Sequence, residues 1–549
     1  MGRETRRYRQ RQGHQDYVWR VVAVAGAALV IVPMLAGFSW FLAPALQASA
    51  WLGAVGDPQL MVATQRTLLT ALGGTALAMV LATAIIMMVY PGSAWTYLRL
   101  RLPVLLAFPH AAFAIGIALL VAPSGWVARL LAAMLGWDAP PQWVTVQDAQ
   151  GLTLMIALAI KESWFLLWML AVTLGEQDIV RQMTVARSLG YGRTQVWMHV
   201  LLPQILPRLA WPLMAVLAYG LSVVDMALVL GPTTPPTLAV LTWQWLTDPN
   251  PQHVAQGTIG AVLLAGLMLI CVLLVRLAWK GLRRWAPYPA GHRKPGRRAP
   301  RFQRATVRLA FLLGIIPGIP LLLWSFSQTW FFPSVLPAQW TVSNWTSADL
   351  NPLFTTLWLA LACVVLLLPL TLVWLEWGPS RFGALIYAPL LLPALPLAAA
   401  QYSVLLRLNL DGTSVGVIWS HLAWVFPYML ITLSGPYRAF DPRIVTTARA
   451  LGHSRWQACI NVKWPMLLRP ILAATAIGFS VSVAQYLPTL FAGAGRFATV
   501  TTEAVALSAG GDRRMLAVQS SLQMLLPLLM FLLAVLVSRR YARGRKGMQ

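Results

Sequence analysis

The sequence predicts an all-α polytopic membrane protein with about 12 transmembrane helices in two related halves. Two observations carry this prediction: the composition, and a polar pattern that occurs once in each half. Of the 549 residues, 58% are hydrophobic and only 11% are charged. Charged residues make up about a quarter of an average soluble domain. Because apolar runs of roughly 20 residues recur along the chain, an ordinary soluble domain is excluded.

The apolar runs define twelve candidate membrane spans. The first run resembles a signal peptide, but its apolar core is longer than the usual length of about 7–15 residues, so we expect a retained membrane helix. The twelve spans lie approximately at 18–46, 60–90, 102–122, 152–175, 206–230, 257–279, 309–331, 353–375, 383–406, 415–434, 467–491 and 515–538.

Basic residues predict the orientation of these spans. If the N-terminus is cytoplasmic, 35 of the 42 Lys and Arg residues fall on the cytoplasmic side. Lys161 falls within a span, and six arginines fall on the outer side: Arg66, Arg129, Arg407, Arg496, Arg513 and Arg514. Cytoplasmic loops of membrane proteins collect Lys and Arg, so we expect both termini in the cytoplasm. The net charge of +26 then indicates no nucleic-acid partner, since no recognition motif accompanies it.

The predicted domain order is a basic tail at 1–19, a first half at 20–280, a basic linker at 281–308 and a second half at 309–549. The linker is rich in Arg, Lys, Pro and Gly without a hydrophobic period, which predicts flexibility. Six spans return the chain to the same side, so the halves have parallel topology. Each half places a polar loop, at about 177–205 and 440–467, between its fourth and fifth spans.

The two polar loops carry the same pattern. Residues 184–203 read TVARSLGYGRTQVWMHVLLP and residues 446–465 read TTARALGHSRWQACINVKWP, with nine of twenty positions identical. Average residue usage gives about one match. Apolar spacings of three and four predict an amphipathic helix before each glycine, with its apolar face at Ile179, Met183 and Ala186 and at Ile444, Ala448 and Leu451.

We expect Gly190 and Gly452 to end these helices in the left-handed conformation. Asp441, which precedes a proline, suits the N-cap of the second helix. Pro203 and Pro465 then mark the start of the next membrane helix. Such a projection fits a groove on another protein. The alternative, an amphipathic helix on the lipid surface, does not explain the same residues at the same spacing in both halves.

The loop spacing resembles the EAA motif of bacterial ABC importer permeases: E-A-A, three residues, Gly, nine residues, then I-x-L-P. The first copy matches at Ala186, Gly190, Val200, Leu202 and Pro203, and the second at Ala448, Gly452, Val462 and Pro465, with Trp464 in place of Leu. Both copies carry a threonine, Thr184 and Thr446, where the family often has Glu. This departure puts the acidic contact to the ATPase in doubt, but not the role of the loop.

The resemblance covers both halves and implies the MetI-like permease fold. Two halves in one chain are similar to the thiamine and ferric-iron importer permeases and to YnjC-type proteins. Residues 223–246 resemble the region after the first such loop in the thiamine permease. The resemblance implies a bacterial inner-membrane permease, two copies of a cytoplasmic ABC ATPase, a periplasmic solute-binding protein and no need for a homodimer. The implied ATPase-coupling residues are Ala186, Arg187, Leu189, Gly190, Pro203, Ala448, Arg449, Leu451, Gly452 and Pro465.

The sequence predicts no catalytic or metal site in this chain. It has no G-x-x-x-x-G-K-[ST] phosphate loop, so ATP-Mg is expected in the partner subunit and no cofactor here. Cys271, Cys363 and Cys459 lack the spacing of a disulfide framework or a zinc site. A membrane-embedded enzyme lacks a nucleophile–base motif.

Ionisable residues at bilayer depth are costly and are candidates for the translocation pathway. Lys161 and Glu162 lie in the fourth span and Asp225 in the fifth, and aligning the halves pairs Lys161 with His421 and Asp225 with Gln485. Each could equally be satisfied by a neighbouring helix. Lys161 and Glu162 point about 100° apart, so we expect at most one to face the pathway. An ion-coupled secondary transporter with 12 helices is the alternative hypothesis, but it leaves the repeated loops unexplained.

Overall fold

The fold is known from a computed structural model that describes residues 2–174, 177–285 and 302–543. The first half consists of α1 (Gly2–Phe41), α2 (Ala48–Gly56), α3 (Gln59–Val89), α4 (Ser93–Ala107), α5 (His110–Val121), α6 (Trp126–Leu135), α7 (Leu152–Leu174), α8 (Gln177–Ser188), α9 (Arg193–Gln195), α10 (Leu202–Arg208), α11 (Ala210–Ser222), α12 (Asp225–Leu230), α13 (Leu238–Leu246) and α14 (Pro251–Trp285). The predicted all-α class is confirmed.

The second half follows with its own series of helices. It consists of α15 (Gln303–Ile315), α16 (Gly318–Ser325), α17 (Ser343–Ser347), α18 (Asn351–Trp377), α19 (Gly383–Ile386), α20 (Ala394–Arg407), α21 (Ser414–Arg438), α22 (Pro442–Ala450), α23 (Arg455–Ala458), α24 (Trp464–Met466), α25 (Leu468–Val483), α26 (Leu487–Gly493), α27 (Val500–Ser508) and α28 (Arg513–Arg543). The other described elements are 3-10 turns at Ala43–Leu46, Ser380–Phe382 and Ala388–Leu390, π-helical turns at Val196–Leu201 and Cys459–Lys463, and an antiparallel pair of strands, β1 (Ser327–Thr329) and β2 (Gln339–Trp340).

The described helices supply the twelve predicted spans, but not as twelve straight rods. Eight are long and apolar enough to cross a membrane, and four bent pairs bring the number to twelve. The bends are 61° between α10 and α11, 44° between α15 and α16, 105° before α20 and 81° between α24 and α25. The fifth predicted span is also broken after Ser222, so Asp225 begins the separate helix α12.

The first helix of each half packs on the other half. Helix α1 lies against α18 and α20, α15 lies against α3 and α4, and α16 lies between α5 of the first half and α28 of its own half. The contact of α1 is close: a Cβ at Gly37 would collide with the carbonyl of Ala400. Trp419 Nε1 also donates to the carbonyl of Leu29 at 3.0 Å. The two halves are therefore joined by an exchange of their first helices as well as by the linker.

One apolar core extends across both halves. Phe113, Leu158 and Val224 of the first half share a buried cluster with Leu395 and Leu487 of the second. Separate clusters lie beside each polar loop, one between the first half and α15 and one between α1 and the second half. The centre of the molecule is thus an interface between the halves, and each loop packs on the body beside it.

Both polar loops lie on the same face of the helical bundle. Asp16, where the membrane-spanning part of α1 begins, contacts Arg455 of the second loop at 3.3 Å. Helix α1 runs away from this face, and α3 runs back toward it. The carbonyl of Met88, at the end of α3, accepts from Arg193 of the first loop at 2.9 Å. We call this surface, residues 177–209 and 441–467, the loop face. The predicted flexible linker falls largely on 286–301, outside the described residues, while its two ends are helical.

The opposite face carries the hairpin of β1 and β2. Arg129 is buried and donates to the carbonyls of Phe331 and Ser334 at 2.6 and 2.8 Å. Arg514 donates to the carbonyl of Gln328 at 3.1 Å. These two arginines belong to the six that the charge pattern assigns to the outer side. They hold the connection between α16 and α17 against the first half and the start of α28.

Candidate functional site

Each polar loop turns at its glycine through the same hydrogen bonds. The backbone φ is 88° at Gly190 and 95° at Gly452, so both adopt the predicted left-handed conformation. Tyr191 N donates to Ala186 O at 3.2 Å, and His453 N donates to the carbonyl of its counterpart Ala448 at 3.2 Å. Each glycine N–H also bonds to the carbonyl three residues earlier, at 3.0 and 3.1 Å. The pattern is a Schellman motif, built twice.

After the glycine, each loop starts a new helix with the same side-chain cap. Gln195 Oε1 accepts from Gly192 N at 3.2 Å, and Gln457 Oε1 accepts from Ser454 N at 2.9 Å. The glutamine is one of the nine identical positions, so the repeat preserves a cap that fixes the direction of the chain after the turn. The predicted cap at Asp441 is also present, because its Oδ1 accepts from Arg443 N at 2.9 Å.

The turn exposes a leucine in each loop. Ala186 and Ala448 are buried against the body, as predicted for the apolar face. Leu189 is 51% exposed and Leu451 is 78% exposed. Leu451, predicted on the apolar face of its helix, lies just beyond that helix, because α22 ends at Ala450, and its side chain is exposed. Both loops thus present an apolar residue at the tip of a rigid turn.

The two loop prolines do not mark the bend into the next membrane helix. Pro203 lies within α10, and the chain turns into α11 only after Leu209. Pro465 lies within α24, and α25 begins after Leu467. Both prolines occupy the first turn of a short helix, where a missing N–H carries no penalty. The remaining predicted loop residues, Arg187 and Arg449, lie on the exposed side of the loop face.

Arg193 fastens the first loop to the end of α3. Its Nε donates to Met87 O at 3.2 Å, and its Nη2 donates to the carbonyls of Met88 and Tyr90 at 2.9 and 2.8 Å. The last carbonyls of a helix lack intrahelical partners and carry partial negative charge, so a guanidinium is suited to them. The Tyr90 ring also packs edge-on against Trp197 of the loop.

Arg455 occupies the same place in the second loop but binds a carboxylate. Its Nε donates to Glu376 Oε1 at 3.0 Å, and its Nη2 donates to the backbone carbonyl of Glu376 at 2.9 Å. Glu376 Oε2 accepts from Lys463 Nζ at 2.7 Å and from Tyr437 OH at 2.8 Å. The Glu376 side chain is 8% exposed. Two cations and a hydroxyl thus compensate its charge in a largely buried site.

The start of α1 completes the anchor of the second loop. Asp16 accepts from Trp377 Nε1 at 2.9 Å and contacts Arg455 Nη1 at 3.3 Å. Trp19 stacks on Trp456 with ring centroids 4.1 Å apart. The N-terminal helix therefore touches the loop of the other half directly.

These anchor residues were not predicted as site residues. Arg193 and Arg455 were visible as one of the nine identical pairs, and that identity was the signal for them. Glu376 and Asp16 have no counterpart in the repeat, so the pattern carried no signal for them.

Lys161 is satisfied by a neighbouring helix. Its ammonium lies 3.3 Å from Leu105 O and 3.4 Å from Leu106 O, at the C-terminal end of α4. A cation at this position complements the unpaired carbonyls of that helix end. Glu162 points elsewhere, as expected for adjacent helical residues, and its Oε1 lies 2.9 Å from His110 Nε2 at the start of α5.

Asp225 lies near this Glu162–His110 pair, at the interface between the halves. Its carboxylate is within electrostatic range of His110, and it lies beside Tyr219 and Tyr486. The rings of His110 and Tyr219 are 4.6 Å apart. The structure therefore brings Glu162 and Asp225 into one buried group, which we call the central polar cluster, with His110, Tyr219 and Tyr486.

His421 is buried and bonded at both ring nitrogens. Nδ1 lies 2.9 Å from Ser482 Oγ, and Nε2 lies 2.9 Å from Thr489 Oγ1. Thr489 donates its own proton to the carbonyl of Gln485 at 2.8 Å. Because that proton is committed to Gln485, Thr489 accepts from Nε2. Gln485 is half-buried beside Tyr486 of the central polar cluster.

The described residues hold no group of three or more His, Cys, Asp or Glu side chains placed for a metal ion. The three cysteines are buried and unpaired. No protein-family model matches the chain. It is 40% identical over 532 residues to the inner membrane ABC transporter permease protein YnjC of Escherichia coli strain K12, an alignment that covers 97% of this chain and 98% of the relative. The chain is therefore a multi-pass inner membrane permease subunit of an ABC transporter, and it belongs to the permease family that includes YnjC.

Proposed function

We propose that the loop face is cytoplasmic and that each polar loop docks into one of two separate ABC ATPase subunits. The observation that carries this proposal is the repeated rigid turn, which presents Leu189 in one half and Leu451 in the other. An exposed apolar side chain on a fixed helical projection suits a groove on a partner protein. The excess of basic residues on this side agrees with the orientation.

The loops would transmit ATP-driven motion through their arginines. Closure of two ATPase subunits would displace both turns, and each displacement would reach the end of a long membrane helix, α3 through Arg193 and α18 through Arg455. Rigid-body movement about an interface is a common form of such switching. ATP-Mg would be bound by the ATPase subunits. A solute-binding protein would deliver the solute to the opposite, periplasmic face, and no homodimer is required because one chain supplies both loops.

The solute pathway would run between the halves at the central polar cluster. Glu162 and Asp225 are the candidates for contact with solute, because they lie at this interface and both are buried. Gln485 would border the pathway from the second half. Lys161 and His421 would have structural roles, since nearby carbonyls and hydroxyls occupy their polar atoms.

The docking proposal is tested by replacing both turn glycines. A β-branched side chain in the left-handed region costs about 1–2 kcal/mol, while neighbouring atoms leave Gly452 open space. Gly190→Val with Gly452→Val should therefore deform the turns, abolish co-purification of the ATPase and leave membrane insertion intact. Gly435→Val is the matched control, on a helix beside the loop face and also with open space around it. Normal co-purification of the double variant would refute docking through these turns.

The pathway proposal is tested by thiol accessibility in a chain whose native cysteines are replaced. Asp225→Cys should react with a membrane-impermeant methanethiosulfonate in at least one nucleotide state of the reconstituted transporter. A chain that retains only Cys363, which is fully buried, should not react in either state. Protection of the introduced thiol in both the nucleotide-free and the ATP-vanadate states would remove Asp225 from the pathway.

A further inference from the structure

A cavity of about 790 Å³ opens between the beginning of the membrane-spanning part of α1 and the turn that follows α18. Its polar side is formed by Tyr17, Arg20, Ser380 and Arg381. Its apolar side is formed by residues of α1 that include Val21 and Val24. The cavity lies on the same side of the bundle as the second polar loop, because α1 reaches that loop through Asp16 and Trp19.

The polar side of this cavity carries uncompensated positive charge. Among the described residues, no carboxylate lines it. The nearest acids along the chain, Asp16 and Glu376, are engaged by Arg455 and Lys463 outside the cavity. Within the described part of the chain, no carboxylate pairs with Arg20 or Arg381. Two guanidinium groups beside a hydroxyl form a site for a phosphate group, to which arginine binds through paired N–H donors.

The apolar side of the cavity continues along the membrane. Val21 is 47% exposed, and α1 proceeds from it through the span Asp16–Leu46. A ligand that fills both sides must therefore join a phosphate to a hydrocarbon chain. We propose that this cavity binds an anionic phospholipid, with its phosphate between Arg20 and Arg381 and an acyl chain along Val21 and Val24. Basic pockets at the membrane surface bind lipid headgroups in this way.

The site is placed to act on the second loop. Within about two turns of α1, Asp16 and Trp19 contact that loop, while Tyr17, Arg20 and Val24 line the cavity. A lipid in the cavity thus orders the same helical turn that anchors Arg455. This inference concerns a ligand other than the transported solute, and it holds whichever solute is carried.

The test uses the full-length protein in nanodiscs with phosphatidylglycerol that carries a photoactivatable acyl chain. Labelling of the peptide that contains residues 17–25 is measured by mass spectrometry. Arg20→Gln with Arg381→Gln should reduce this labelling roughly tenfold. Arg304→Gln with Arg308→Gln, two exposed arginines of α15, is the matched control and should label as the wild type does. Equal labelling of the two double variants would overturn the proposal.

Three further measurements separate the sources of the phosphate. The same acyl chain on phosphatidylcholine should label several-fold less, and equal labelling would show an unselective lipid groove instead. Glycerol phosphate in solution should not compete, and full competition would show a site for a free phosphate. Arg20→Lys with Arg381→Lys keeps both charges but loses the paired N–H donors, so its labelling should lie between that of the wild type and that of the glutamine variant. Labelling no higher than that of the glutamine variant, together with a normal thermal midpoint, would show that charge does not select the ligand.

Discussion

The two polar loops share a turn but differ in how they are fastened to the membrane helices. In the first loop, Arg193 binds only backbone carbonyls at the end of α3. In the second, Arg455 binds a carboxylate, a carbonyl and the start of α1. The exposed turn is the same in both loops, while the contacts that hold each loop to the membrane helices differ. Two ATPase subunits would therefore pull on anchors of different chemistry.

The difference has energetic consequences. Bonds from a cation to neutral carbonyls are modest, and their loss leaves groups that water or a neighbouring side chain can satisfy. A buried carboxylate with two cations depends on every member, because removing one partner leaves charge without compensation. The second anchor should therefore be the more sensitive to substitution, even though it contains more contacts.

The largest effect is expected from Glu376→Gln. Lys463 and Arg455 would lose their shared carboxylate in a mostly buried site, at a cost of about 3–5 kcal/mol. The thermal unfolding midpoint should fall, and hydrogen exchange in residues 441–467 should increase. Glu503→Gln removes a half-exposed carboxylate for which the structure describes no ion pair, and it should change little. Exchange that increased equally in 177–209 would mean that the two anchors are not independent.

A smaller effect, confined to the first loop, is expected from Arg193→Gln. Three donations to the end of α3 would be lost, which costs about 1.5–3 kcal/mol when the donor is charged. Hydrogen exchange should increase in 177–209 and stay unchanged in 441–467, the reverse of the pattern for Glu376→Gln. If Arg193→Gln instead lowered stability by more than Glu376→Gln does, the ranking of the two anchors would be wrong.

The smallest effect is expected from Trp19→Ala, which removes the stack on Trp456. An aromatic pair contributes about 0.5–1.5 kcal/mol beyond its buried area. Only the second loop should loosen, since the described contacts of Asp16 and Trp19 on α1 reach that loop. Trp211→Ala is the control, because Trp211 is 57% exposed and follows the first loop. The same hydrogen-exchange measurement decides the outcome, and an unchanged second loop would exclude the Trp19 stack from its anchor.

The turns were predictable from sequence because they depend on local chemistry. The left-handed conformation favours glycine, which places Gly190 and Gly452 at the turns. The spacing of apolar residues indicates an amphipathic helix, which places Met183 and Ala448 on its apolar face without knowledge of distant contacts. The twelve spans follow from apolar length in the same way. Leu451 was placed on the helical face because the apolar spacing continues beyond Ala450, where the helix ends.

The anchors and the interior were not predictable, because they depend on residues that are distant in the chain. Nothing near Glu376 indicates that Lys463 and Arg455 will meet it. Charge at bilayer depth marked Lys161 and Asp225 alike, but only the structure separates them. Lys161 lies at a helix end, whereas Asp225 lies between the halves.

The packing of α1 on the second half also has a consequence for the order in which the chain is synthesised and packed. Helix α1 is complete at Phe41, but its neighbour α20 begins only at Ala394. Roughly 350 residues separate them, and at about 5–20 residues per second their synthesis takes roughly 20–70 seconds. During that interval α1 has been made and its main packing surface has not. The nascent chain must therefore keep α1 in the bilayer without its packing partner until the second half is synthesised.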